Sequence, residues 1–263
     1  MRVVIGLDIG GSTTKIIGMA DGRVLSHELV KADDPIASAF GALGKFLDSN
    51  RLGLADVDRV MVTGVGASFL RGDLLGVRTI RVPEFQAIGL GGLYLSGLHE
   101  AVVASMGTGT AFVIARGRDV RHLGGSGVGG GTLLGLANRM LNVRDFQILV
   151  DLAAQGNLGA VDLQIADISH DDIPGLRPTA TASNFGKWND AATREDIALG
   201  ILNLVFQSIG VMAVMLSRGH QDLSVVLTGN LTLVPQSGAI FTDLADLFRT
   251  QFIIPADAEY GPA

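Results

Sequence analysis

The chain opens on a continuous apolar run, RVVIGLDI from Arg2 to Ile9, rich in β-branched residues and therefore read as a buried strand. TTKIIGMA follows as a second strand, Asp21-Gly22-Arg23 as a hairpin turn, and VLSHELV as a third strand. Three antiparallel strands are thus expected before any helix. Apolar positions at Ile36, Phe40, Leu43 and Leu47 fall at helical spacing and predict a helix with these residues on its inner side. Arg59 to Gly64 (RVMVTG) reads as a short buried strand ending in glycine, and Val77 to Val82 as another. Pro83 then suits the first turn of a helix.

From Ala101 the opening pattern returns. AVVASMGTGTAFVIARGRDVRHLGG reads as strand, Gly/Thr turn, strand, RGRD turn and strand, so that Leu7–Thr13 (LDIGGST) lies over Ala104–Thr110 (ASMGTGT) as a weak internal repeat. The glycine cluster Gly124 to Gly131 leads into a helical pattern, TLLGLANRML. Residues 153–190 mix short helical patches with loop signals and read as an insertion covering a site. A long apolar helix follows. Then come a strand at Leu223 to Asn230, a helix around Ala239 to Phe252, and a short FIIP segment. Strands and helices alternate in both halves, so the expected class is α/β.

Ile197 to Ser217 contains 21 residues without a charge, enough to cross a bilayer. Asn203, Gln207 and Ser208 lie at its middle, and no aromatic belt flanks it. The better reading is a helix buried inside the protein or at a subunit contact. Composition narrows the class further. Among 263 residues, 48% are apolar and 17% charged, which excludes a disordered tail. A net charge of −6 with 20 Lys and Arg argues against a nucleic-acid groove, and the absence of cysteine removes disulfides and thiolate metal sites. No signal-peptide pattern is visible at the N-terminus, so a soluble cytoplasmic protein is expected.

The chemistry concentrates in Asp8-Ile9-Gly10-Gly11-Ser12-Thr13-Thr14-Lys15. A tight turn without side chains at Gly10 and Gly11 lets backbone N–H groups approach an anion. Ser12 and Thr13 add hydroxyls, and Lys15 adds a mobile cation. Asp8 would repel a phosphate unless Mg²⁺ lay between them. Together these residues suggest a Mg-nucleotide. The alternative is a plain hairpin turn with Lys15 solvated. No stretch fits a P-loop, and the dinucleotide fingerprint fails because a strand, not a helix, follows Gly11. Met106-Gly107-Thr108-Gly109-Thr110 would supply a second cradle, and Val226-Leu227-Thr228-Gly229-Asn230 a further close approach by bare backbone.

DIGGSTTK, SMGTGT and VVLTGN resemble the phosphate and adenosine motifs of the actin-like ATPase and sugar-kinase superfamily. More narrowly, PEFQAIGLGGL, MGTGTA, HLGGSGVGGGTLLGL, RDFQILVDLAAQGNLGAVDL and ASNFGKW are similar, in order, to type II pantothenate kinases over nearly the whole chain. The resemblance implies a two-lobed actin-like (ribonuclease H-like) fold with a duplicated mixed-sheet core. Residues 1–97 and 98–263 would form the two lobes, with the nucleotide cleft between them. It implies ATP and Mg²⁺ as cofactors, phosphorylation of pantothenate as the first step of coenzyme A synthesis, and a homodimer.

By the same resemblance, Glu84 is the general base, although its position alone is equally a helix N-terminal carboxylate. Asp8 would hold the metal. Gly10, Gly11, Ser12, Thr13, Lys15, Thr108, Gly130, Gly131, Thr132, Leu133 and Leu134 would line the nucleotide, with Phe146 and Asn230 near its adenine or ribose. The family's basic residue for the substrate carboxylate aligns with His122, a weaker and pH-sensitive cation, with Arg121 one step earlier. Ala111 also departs from the family pattern, which has serine there. These departures leave another small alcohol, such as a sugar, as an alternative acceptor. A non-catalytic ATP sensor is disfavoured, because Asp8, Lys15 and Glu84 are all present.

Overall fold

Strand β1 (Val3–Ile9) alternates fully buried Val3, Ile5, Leu7 and Ile9 with partly buried Val4, Gly6 and Asp8, so its two faces meet different surroundings. In this computed structural model the described residues are 2–11, 13–31, 34–171, 173–187 and 190–263; Ser12 and Trp188 lie outside them. β1 pairs antiparallel with β2 (Thr13–Ala20), which pairs antiparallel with β3 (Arg23–Lys31). Asp21 and Gly22 both take left-handed conformations in the β2–β3 turn, as a tight hairpin requires. The fully buried face of β1 packs on α1 (Pro35–Ser49), with Leu43 and Phe46 in the same cluster. β4 (Val57–Thr63) then joins β1 in parallel, and β5 (Thr79–Arg81) joins β4, giving the order β3-β2-β1-β4-β5. α2 (Glu84–Ser96) follows directly, with Pro83 at its N-cap.

β6 (Glu100–Met106), β7 (Thr110–Arg116) and β8 (Asp119–Ser126) restate the opening meander, followed by α3 (Gly130–Leu141) and α4 (Phe146–Ala153). The insertion carries β9 (Leu163–Gln164), α5 (Ile165–Ile168) and β10 (Thr181–Ser183). Beyond it lie α6 (Arg194–Arg218), β11 (Val225–Thr228), α7 (Pro235–Phe248) and β12 (Phe252–Ile253). The second large sheet has the order β12-β11-β6-β7-β8, and β9 pairs with β10 alone. Two mixed sheets with interleaved helices make the class α/β, as expected. The chain divides into two compact units: Met1–Val103 with Val113–His122 and Pro255–Ala263, and Ala104–Phe112 with Leu123–Ile254. The segments 113–122 and 255–263 therefore group with the first unit.

Some local expectations shift. On α1, Ile36 and Phe40 are 44% and 39% exposed, and the inner face is formed by Ala39, Ala42, Leu43, Phe46 and Leu47. Small residues at 39 and 42 let this helix lie close to the sheet, which rotates Ile36 and Phe40 outward. α7 begins at Pro235, pre-set for the first helical turn, and ends at Arg249 in the left-handed region, so Phe252 belongs to β12.

Helix α6 explains its lack of charge by burial within its own unit. It packs against α3, α4 and α7, and two thirds of its most apolar window (67%) is buried. Thr193 accepts the Asp196 N–H while the Asp196 carboxylate accepts the N–H groups of Thr193 and Asn157, closing a capping box at its start. These hydrogen bonds, led by the one from Asn157, hold the Asp196 carboxyl below its ordinary range.

Candidate active site

Lys15, Asp8 and Thr63 form one rung across the first sheet, because Asp8 is the ladder partner of Lys15 on β2 and of Thr63 on β4. Lys15 Nζ lies 3.8 Å from Asp8 Oδ2, and Lys15 is only 6% exposed, so it is not the solvated residue of a plain hairpin. Burial pushes the Asp8 carboxyl up, partly offset by the Lys15 charge. Burial likewise pushes the Lys15 ammonium down, opposed by Asp8 and Glu259. The pair is thus an electrostatically costly feature whose two charges need each other or a further ligand. The turn ahead of Lys15 is closed by Gly10 N–H donating to the Thr13 carbonyl at 2.9 Å, while Gly11 is exposed.

Glu84 is the first residue of α2, reaches solvent, and stands close enough to Asp8 to feel its charge. Its carboxyl is raised above the ordinary range, first because protein around it displaces water and second because Asp8 repels its ionised form. The next residue, Phe85, stacks on His122 with ring centroids 3.9 Å apart and an interplanar angle of 8°. Val120 packs against α2 at Gly89, so strand alternation puts Val120 and His122 on the α2 face of β8 and turns Arg121 away. The first unit therefore gathers Asp8, Lys15 and Glu84, and brings His122 to the start of α2.

In the second unit, Gly107 N–H donates to the Gly109 carbonyl, and the N–H groups of Gly130 and Gly131 donate to the carbonyls of Gly107 and Thr108, all at 2.9 Å. The start of α3 is thereby fused to the second glycine turn. A side chain at Gly129 would stand 2.6 Å from the Thr108 carbonyl oxygen. Thr132 accepts from Gly129 N–H and donates to the Gly127 carbonyl, and Thr110 donates to the Val128 carbonyl. Thr108 itself is exposed, Leu133 lies in the core and Leu134 is partly buried. Leu231 reaches the same block at Gly130, which places Asn230 beside it; the Asn230 Oδ1 is buried without a hydrogen-bond partner among the described residues. Phe146 opens α4, where Asp145 caps the N–H groups of Gln147 and Ile148.

The model of the Fumble family matches residues 97–238, more than half of the chain. The chain belongs to the Fumble family. A type II pantothenate kinase of Staphylococcus epidermidis is 28% identical over 235 residues, covering 86% of this chain and 84% of that protein. Among solved structures, the activator of the 2-hydroxyisocaproyl-CoA dehydratase from Clostridium difficile, with bound ADPNP, matches 100% of this chain and 91% of its own, with a TM-score of 0.69 and 17% identity. A ROK hexokinase from Thermus thermophilus matches 100% of this chain and 97% of its own, with a TM-score of 0.56 and 14% identity. The fold is that of the actin-like ATPases and sugar kinases.

In this Fumble protein the motifs VDL and ASNFG have a joint structural role that sequence reading did not supply. The fully buried Asp162 carboxylate accepts from Phe185 N–H at 2.9 Å, Thr181 Oγ1 at 3.0 Å, Asn203 Nδ2 at 2.8 Å and Asn184 Nδ2 at 3.3 Å. One carboxylate thus ties the insertion to α6, and its four donors satisfy the charge that burial would otherwise penalise. Thr63 and Gly64 were also passed over, although TG ends both RVMVTG and VVLTG and could have been matched directly.

Proposed function

We propose that this Fumble protein phosphorylates pantothenate to 4′-phosphopantothenate with ATP as donor, the opening reaction of coenzyme A synthesis. The kinship to a type II pantothenate kinase over most of both chains supports the acceptor. The observation that carries the chemistry is Glu84, a solvent-reaching carboxylate with a raised pKa beside the buried Asp8–Lys15 pair. A raised pKa makes the ionised form a stronger base, suited to taking the proton of a primary hydroxyl as the phosphoryl group moves. Lys15 supplies positive charge to the phosphates, and the glycine turn at 10–11 offers bare backbone beside it.

Mg²⁺ fits Asp8. No cluster of three or more metal-binding side chains occurs among the described residues, and Mg²⁺ takes one or two carboxylates together with phosphate oxygens and water. When bound, the cation neutralises phosphate charge. Asp8 would hold it through a carboxylate whose ionised form burial otherwise penalises. Within the second unit, Thr108, Gly130, Gly131, Thr132 and Leu134 are read as a phosphate-binding block, from which Leu133 is withdrawn because it is fully buried in the core. Within the first, Thr13 is read in the same role, and Ser12 lies outside the described residues. Phe146 and the Asn230 Oδ1, buried without a partner among the described residues, are assigned to the adenine and ribose.

His122 is the acceptor-side partner of the substrate carboxylate in this reading, since it shares a face with Phe85 at the start of α2 and Arg121 does not. His122→Ala should raise the KM for pantothenate about 10-fold or more, the scale of one charge-assisted hydrogen bond, with the KM for ATP unchanged. Arg121→Ala should leave both within about two-fold; equal losses in the two variants would reassign the role. Coupled ADP release measured with pantothenate and with a panel of sugars tests the acceptor. Turnover with a sugar but not with pantothenate would favour the second kinase reading, to which Ala111 lends some support. ATP binding without any turnover would favour a sensor.

We also assign the protein to the cytoplasm and to a homodimer. The support for the dimer is the outward stripe of α6, where Leu204, Val211, Met212 and Met215 line one side and Met215 is 58% exposed. Met215→Glu should turn a dimer into a monomer by light scattering at micromolar concentration, and a monomeric parent protein would remove the assignment.

A further inference from the structure

Strands β4 and β11 end in the same elbow. Thr63 is followed by Gly64, with φ 84° and ψ 165°, and a 3₁₀ turn at Val65–Phe69. Thr228 is followed by Gly229, with φ 93° and ψ 171°, and a 3₁₀ turn at Asn230–Leu233. In both, only glycine fits. A side chain at Gly64 would stand 2.5 Å from the Ile9 carbonyl oxygen and from Asp8 Oδ1, and one at Gly229 would stand 2.5 Å from the Met106 carbonyl oxygen. Each elbow is therefore wedged against the strand end that enters a glycine turn. The two threonine hydroxyls share one further property. Both are buried, and neither has a hydrogen-bond partner among the described residues. Buried hydroxyls ordinarily find a partner, so an orphan built twice into one motif calls for a partner from outside the chain.

For Thr63 the surroundings identify that partner. It lies beside Asp8 in the parallel ladder, on the face that also carries Lys15, and is 4% exposed. We propose that Thr63 is a positioning residue of the cation–phosphate site, its hydroxyl accepting a hydrogen bond from a water that hydrates the cation held by Asp8. This rests on the Mg-nucleotide reading above. Thr63 does not touch the reacting atoms. It sets the position of the hydrated cation against Asp8, the kind of outer contact whose loss costs roughly 10- to 100-fold in metal affinity.

The probe is Mn²⁺, titrated in the presence of ADP and followed by the electron paramagnetic resonance of the free ion, with thermal melting of each apo protein. Thr63→Val should weaken Mn²⁺ binding about 10-fold or more. Its melting temperature should be unchanged or higher, since a buried orphan hydroxyl is removed. Thr63→Ser should bind Mn²⁺ like the parent. Thr63→Ala replaces Thr63→Val if the valine variant does not fold. Parent-like Mn²⁺ affinity in Thr63→Val, or a loss in Thr63→Ser equal to that in Thr63→Val, would overturn the role and leave the Mg-nucleotide reading intact. A parent protein whose Mn²⁺ binding matches that of Asp8→Asn would instead bring down the metal reading, and the Thr63 role with it.

Discussion

Glu84→Gln should bind ATP and pantothenate with near-parent affinity and turn over about 10²-fold more slowly or worse, the usual scale of a lost general base. The substitution keeps size and hydrogen-bonding capacity and removes only basicity. A plain helix-terminus carboxylate predicts a different pattern, a stability loss of roughly 1 kcal/mol or less with activity largely intact. The pKa direction sharpens the contrast. Glu84 is raised by loss of surrounding water and then by Asp8, so its favourable contribution to folding is complete below the unfolded pKa and disappears as pH rises through the folded value. Glu84→Gln should therefore melt no lower than the parent at neutral pH, and the difference should vanish in acid below the ordinary glutamate range. The parent's kcat/KM should fall on the acid side at a pH above the usual glutamate range, and that limb should be absent from the residual activity of the variant. Single-turnover phosphorylation at saturating ATP, with melting curves across pH, reads both. Near-parent turnover in Glu84→Gln would end the assignment.

Lys15→Met should damage binding and folding together. Removing one cation from the phosphates costs a charge-assisted contact, so Mg-ATP affinity should fall about 10- to 100-fold. Removing it from Asp8 leaves a buried carboxylate without its partner, a loss on the order of 3 kcal/mol at neutral pH. The Asp8 pKa, already raised by burial, then rises further because the offsetting charge is gone. A raised folded-state pKa means that the destabilisation grows with pH, so the variant should be closer to the parent near pH 5 than near pH 8. Asp8→Asn in the Lys15→Met background should recover much of the stability without restoring nucleotide binding, because the stranded charge is removed and the lysine is still absent. Isothermal titration with Mg-ATP and chemical denaturation at the two pH values check this. Parent-like binding in Lys15→Met would place the phosphates elsewhere.

The sequence carried the elements whose information is local. The run Val3–Ile9, the Asp21-Gly22 hairpin, the meander repeated from residue 100 and the glycine turns all follow from side-chain alternation and from the conformations that glycine permits. The α/β class follows from their alternation, and the motif order pointed to the superfamily. Asp8 stood out as a carboxylate at the end of an apolar run and Lys15 as a cation just past a glycine turn. The role of Glu84 came from the resemblance, its position alone being equally that of a helix N-terminal carboxylate.

What stayed hidden depends on which residues become neighbours across strands and helices. Composition left α6 as a helix buried inside the protein or at a subunit contact, and packing against α3, α4 and α7 shows which neighbours bury it. Ile36 and Phe40 have helical spacing with Leu43, but small residues at 39 and 42 decide which side approaches the sheet. Arg121 and His122 differ by one position, so which of them faces α2 is read only from the contact of Val120 with α2 and the stacking of His122 on Phe85. Asp162 gathers its donors from residues 181, 184, 185 and 203, and Thr63 gains its meaning from lying beside Asp8, 55 positions away in the chain. Periodicity records how each segment divides between core and solvent. Ladder register and helix packing decide which polar groups share a rung, and there the chemistry of this protein is assembled.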